Sequence, residues 1–283
     1  MRRFFVLGWV FMAACQPHSD LPQEGRTVKT LSKSVENALL MARNQVKMAS
    51  IKGGEYRAFY GKDEALVHVA DFELDVTPVT NEQYLRFVAE NPEWQKGQVA
   101  SIRSDSSYLA HWEAPLKLGQ KAPAKAPVVN VSWFAAKAYC ACMGKKLPTM
   151  DEWEFVARAD ENKPDARDNP AAYQRWLDWY SEKAQQILPD VRRTPPNYWG
   201  VFDQYGLVWE WVSDFNAVLI SGESRKDAKV DDKGLFCSGG AVGVEDLKNY
   251  AAFMRYAFRG SLKARYAIQT LGFRCARSKK NVR

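Results

Sequence analysis

Between Pro127 and Ala159 the spacing of apolar positions changes period twice. Val128, Val129 and Val131 are β-branched and read as a short strand. Ser132 then stands where an N-cap belongs, and Trp133 opens an apolar helical pattern. Ala136, Tyr139, Cys140 and Met143 follow at three- and four-residue steps, which predicts one buried helix face. Gly144 ends that helix, since a glycine just past a helix takes a positive φ at little cost, and Pro148 blocks continuation. Thr149 and Glu152 form a T-x-x-E capping box that starts a second helix, buried through Trp153 and Val156–Ala157.

The rest of the chain gives shorter signals. Gly53–Gly54 suits a tight turn between strands, and Val67–Val69 and Phe72–Val76 read as strands. Thr80 caps a helix whose face is Tyr84, Phe87 and Val88, ended by Asn91–Pro92. Residues 99–126 keep no period and read as a long loop, either functional or packed on itself. Ala171 to Gln186 carries Tyr173, Trp176, Leu177 and Tyr180 at helical spacing, a helix that covers a surface or docks a partner. At the start, Arg2 and Arg3 precede an apolar run from Phe4 that is too short to span a bilayer. Residues 1–14 therefore read as a secretory signal. Met12-Ala13-Ala14-Cys15 resembles a bacterial lipoprotein box, which implies lipidation at Cys15. Residues 15–47 are a polar tether with a possible short helix, residues 48–277 form the domain, and 278–283 are a basic tail.

Composition narrows the classes. The 283 residues suffice for a sizeable core. A net charge of +7 is a solvated surface first, and no Lys/Arg block interleaved with aromatics points to nucleic acid. There is no Gly-rich phosphate loop and no G-x-S-x-G elbow. The three histidines are His18 in the tether, His68 and His111. They contain no H-x-x-x-H pair, and iron is not expected. Of five cysteines, four remain after Cys15, and in an oxidising compartment they permit three pairings.

Four stretches, in order, resemble the formylglycine-generating, or sulfatase-modifying factor, family. They are IKGG with FELDVTPVTNEQYLRF (51–54 and 72–87), the PVVNVSW…AYC…GKKLPT…EWEF run described above, GVFDQYGLVWEWVSDF (200–215), and an ending with Gly239–Gly240, Arg255-x-Ala-x-Arg259 and LGFRCAR (271–277). The resemblance implies an α+β, C-type-lectin-like fold, loop-rich and low in regular secondary structure. It also implies a structural calcium site, with side-chain oxygens from Asp203 and Glu210 and carbonyls from Gly206 and Val208. Leu207 stands where the family commonly has Asn, and a first calcium loop is replaced by the stretch from Ala171. Relatives imply a Cys140–Cys275 disulfide, stabilising by roughly 2–4 kcal/mol, with Cys142 and Cys237 paired or separate.

The resemblance also exposes a missing part. Family oxidases hold copper(I) on two thiols between the Gly-Gly turn and the Arg-x-Ala-x-Arg segment, and soft thiolates suit that ion. Here Ala241 to Met254 contains no cysteine, so copper and the family's oxidation of a substrate cysteine are not expected. Arg255, Arg259 and Arg274 either pair with buried carboxylates in a strand-and-loop ending or line a groove that grips a peptide or an anion, with Asp246 and Tyr250 nearby in sequence. The implied function is a periplasmic, lipid-anchored accessory factor for maturation of an exported protein or peptide partner. AAFMRYAFRGSLKA (251–264) and LVWEWVSDFN (207–216) resemble members associated with copper nitrite reductase. An oxidase of the family with a non-thiol metal centre and a structural envelope lipoprotein are the alternatives.

Overall fold

The computed structural model describes residues 46–58, 66–216 and 247–279, without the side chains of 247–253. Four short strands open the domain: β1 (Met48–Ile51), β2 (Gly54–Arg57), β3 (Leu66–Val69) and β4 (Phe72–Asp75). A capped helix, α1 (Asn81–Glu90), leads through the 3-10 turn Pro92–Trp94 into the long loop. Then come α2 (Trp133–Cys142), α3 (Met150–Ala157) and α4 (Pro170–Ser181). The chain ends with β5 (Trp209–Glu210), α5 (Leu247–Gly260), β6 (Leu271–Gly272) and β7 (Ala276–Ser278). Much of the rest is turn and irregular chain, so the expected α+β, loop-rich character holds.

Three small sheets tie distant segments together. β1, β4 and β7 form an antiparallel sheet in that order, with Met48 opposite Asp75 and Phe72 opposite Ser278. β2 and β3 form an antiparallel hairpin, and β5 and β6 pair in parallel. The turn at Gly53 tolerates no side chain, because a Cβ there would stand 2.1 Å from the Val69 carbonyl oxygen.

The helix ends follow the local sequence. Thr80 with Gln83 and Thr149 with Glu152 both close reciprocal capping boxes, Ser132 caps α2, and Gly144 takes φ 66° just beyond it. α2 buries Ala136, Tyr139 and Cys140, and Tyr139 packs with Tyr84, Phe87 and Phe273 at ring separations of 5.4–5.8 Å. Cys140 is joined to Cys275 across 135 residues, which fixes the last strand to the central helix. A second core, with Ile51, Phe72, Leu74, Phe155 and Val156, lies between α3 and the three-stranded sheet.

Two expectations about elements need correction. Val128–Val131 forms no strand; the isolated bridge just before it joins Pro127 to Thr80. Asn130 takes φ 52°, which interrupts any extended run, and its backbone N–H donates to the Ile268 carbonyl, not to a neighbouring strand. The helix expected over 171–186 stops at Ser181. The loop over 99–126 is packed: Tyr108, Leu109 and Trp112 are buried, and Asn81 pins it. The Asn81 amide donates to the carbonyls of Pro123, Ala126 and Pro127 at 3.0–3.3 Å, while its oxygen accepts from the Trp112 indole at 2.9 Å.

Candidate functional site

Glu154 lies on the buried side of α3, between Trp153 and Phe155. α5 brings Arg255 and Arg259 to it, one helical turn apart and so on the same face. Arg255 Nε donates to both Glu154 oxygens at 2.9 and 3.0 Å, and its Nη2 donates to Oε2 at 2.6 Å. Arg259 Nη1 donates to Oε1 at 2.7 Å. All three residues are at least nine-tenths buried. Burial alone would raise the Glu154 carboxyl, but the two guanidiniums outweigh it and hold it below its ordinary value. One carboxylate thus faces two permanent cations, and the trio carries a surplus positive charge. The expected strand-and-loop setting was wrong for two of the three arginines, since Arg255 and Arg259 are helical.

A second buried pair lies on the other side of Trp153. Arg274, fully buried, donates from Nε and Nη2 to Glu210 at 2.8–3.0 Å. It also donates to the carbonyls of Asp75 and Phe202. The Trp153 indole donates to Glu210 Oε2 at 2.8 Å, while its ring face lies 4.6 Å from the Arg259 guanidinium. All three arginines therefore pair with buried carboxylates, and none lines an open groove, because each carboxylate needs its guanidinium to remain charged out of water.

These contacts bear directly on calcium. Both Glu210 oxygens already accept N–H donors, from the Arg274 guanidinium and the Trp153 indole. The Asp203 carboxylate accepts from the backbone N–H groups of Arg192 and Thr194 and from the Thr194 hydroxyl. Asp203 itself takes φ 53° and Gly206 φ 96°, a turn held by Thr194. The expected set of Asp203, Gly206, Val208 and Glu210 does not fit a calcium ion with these side chains so engaged. Among the described residues, no three His, Cys, Asp or Glu side chains converge as a metal site.

α4 closes the site from above. Asn169 caps it and Pro170 begins it. Its aromatic face lands on β5 and the loop before it: Trp176 stacks on Tyr205 at 5.0 Å, and Tyr180 stacks on Trp209 at 5.2 Å. Trp209 stacks in turn on Phe258 of α5 at 4.3 Å. The Tyr180 hydroxyl accepts from Arg255 Nη1 at 3.0 Å, so the helix is coupled to the Glu154 cluster.

The sulfatase-modifying factor enzyme 1-like domain model matches residues 36–279. The chain belongs to this family. Among curated relatives, it is 30% identical over 247 residues to serine/threonine-protein kinase pkn1 of Chlamydia pneumoniae, covering 82% of this chain but 38% of that protein. The chain thus spans well under half of that relative's length. It is 29% identical to the inactive C-alpha-formylglycine-generating enzyme 2 of Mus musculus, covering 75% of this chain and 77% of the relative. It is 32% identical over 187 residues to the formylglycine-generating enzyme of Streptomyces coelicolor, covering 59% and 58%. A solved structure of PvdO from Pseudomonas aeruginosa matches with TM-score 0.47 and 18% identity, over 84% of this chain and 97% of that one.

The remaining candidates of this family member are scattered. His68 is exposed on β3, whereas His111 is packed in the long loop with its Nε2 3.1 Å from the Asn81 oxygen. Cys142 is buried on α2. Residues 1–45, with Cys15 and His18, lie outside the described residues, as do Cys237, Gly239, Gly240 and Asp246; Tyr250 falls within α5. The sequence reading missed Glu154. Its signal was available: a carboxylate set between Trp153 and Phe155 in an apolar run to Ala157, if buried, needs a cation.

Proposed function

We propose that this protein is an envelope-anchored member of the family that holds a segment of an exported protein without oxidising it. The observation that carries this reading is the cysteine-free interval Ala241–Met254, which runs into α5. A copper(I) centre needs paired soft thiolates, and the cysteines of this chain offer no pair in that interval. Cys140 and Cys275 are consumed in a disulfide, and Cys142 is buried on α2. The mouse relative whose name records it as inactive supports the same direction. The basic start, the short apolar run and Cys15 support export and a lipid anchor facing the periplasm. The stretches at 207–216 and 251–264 point to a copper nitrite reductase as the first partner to try.

The test is direct. The full chain is incubated aerobically with copper(I) and a C-x-P-x-R peptide, which is then weighed by mass spectrometry. An unchanged peptide is expected, and loss of the thiol with aldehyde formation overturns the reading. For the anchor, Cys15→Ser moves the protein from the membrane to the soluble fraction. Unchanged membrane retention contradicts it.

A further inference from the structure

A cavity of about 250 Å³ opens between the chain just past α4 and the loop leading into β5. Trp179, Tyr180 and Trp209 supply its aromatic wall, and Leu207 and Val208 its apolar floor. Lys183 and Arg193 also line it, both exposed. We propose that this cavity recognises one aromatic side chain together with an adjacent carboxylate, in an extended peptide segment of the partner. The proposal rests on the reading that the protein holds a peptide and names the chemistry it holds.

Size decides against a large ligand. Sites for drug-sized molecules and cofactors run to roughly 300–1,000 Å³, so this one admits a group about the size of one residue. The wall decides the apolar part. Trp209 is fixed from behind by Phe258 at 4.3 Å, and Tyr180 is fixed by its ring contact at 5.2 Å and by the hydrogen bond from Arg255. These half-buried rings are held in place before anything binds, which suits a planar partner and lowers the ordering cost of binding. Charge decides the rest. Neither Lys183 nor Arg193 makes an ion pair or hydrogen bond among the described residues, and Glu182 is the single acid among those lining the cavity. Aromatic walls also attract organic cations, but the two cations Lys183 and Arg193 in the lining disfavour one. A carboxylate beside the inserted ring answers both Lys183 and Arg193.

The experiment uses the full-length Cys15→Ser chain and fluorescence anisotropy with labelled Gly-Ser peptides that carry Phe-Asp, Ala-Asp or Phe-Lys at their centre. The Phe-Asp peptide is expected to bind at least about tenfold more tightly than either of the others, as for loss of an anchor residue. The exposed double variant Lys183→Glu with Arg193→Glu is expected to reverse the order of Phe-Asp and Phe-Lys. A reversal is a gain of binding, which an unfolded variant does not give. Equal binding of the three peptides, or an unchanged order in the variant, overturns the proposal. A random peptide display library is screened in parallel. Retained peptides without aromatic-acidic pairs overturn the pocket assignment but leave peptide holding intact, whereas no retained peptide overturns both.

Discussion

Trp153 stands between two buried arginine–carboxylate sites of different charge. On its indole edge, Glu210 meets Arg274, one charge against one, and the leftover guanidinium donors are taken by the carbonyls of Asp75 and Phe202. On its ring face, Glu154 meets Arg255 and Arg259, one charge against two. The first site is closed: it links β5 to the segment after β6, and its charges cancel. The second is stable because Arg255 alone grips both carboxylate oxygens, which leaves Arg259 as a cation the pair does not require. Removing one partner from a buried pair costs far more than removing a third member, because only the former leaves a charge without a counterion. The closed site is therefore a structural fastener, and the second, equally buried, holds one guanidinium more than its carboxylate needs and reaches the aromatic wall of α4 through Tyr180.

Substitutions that unbalance the second site sharpen this contrast most. Glu154→Gln leaves two guanidiniums buried without a counterion, and a loss of about 5 kcal/mol in unfolding free energy is expected by denaturant titration. A loss near 1 kcal/mol would mean that water reaches both arginines. The disulfide comes next. Cys140→Ala with Cys275→Ala is expected to cost about 2–4 kcal/mol, measured in the same way. Both arginine sites are expected to survive, because their hydrogen bonds do not pass through the sulfurs.

A pH titration separates the Glu154 site from a half-buried histidine. Burial, helped by Lys96, pushes the His111 imidazole down to about 4 from 6.5. The unfolded chain then binds the proton first, so stability is full above pH 6.5 and falls as the pH drops towards 4, by at most about 3 kcal/mol. His111→Gln keeps a donor for the Asn81 oxygen and is expected to flatten that slope. Glu154 acts in a lower window. Its lowered carboxyl stabilises the fold above the ordinary value of 4.5, and this contribution is lost as the pH falls through the depressed one. Equal slopes for the parent and His111→Gln between pH 6.5 and 4.5 would contradict the assignment.

The difference between the two sites was not legible in the sequence, although much of the scaffold around them was. Thr80 as a cap and Thr149 with Glu152 are local signals, complete within four residues, and both caps form; the structure adds Gln83 to the first. The aromatic spacing from Tyr173 to Tyr180 marked α4 for the same reason. Val128–Val131 misled because β-branching speaks for extended backbone but does not supply a neighbouring strand, and Asn130 turns the chain instead. The arginines show the deeper limit. Arg255 meets Glu154 across 101 positions and Arg274 meets Glu210 across 64, so no window contains both partners. The family resemblance placed a calcium ligand at Glu210, where the fold places a guanidinium.

The most direct measurement compares Arg259→Met with Arg274→Met by chemical denaturation at pH 7. The account predicts a loss of about 1 kcal/mol for Arg259→Met, since Glu154 keeps Arg255, and about 3–5 kcal/mol for Arg274→Met, since Glu210 is left with only an indole donor. Equal losses in the two variants would contradict it and would make the two sites one kind of structural pair.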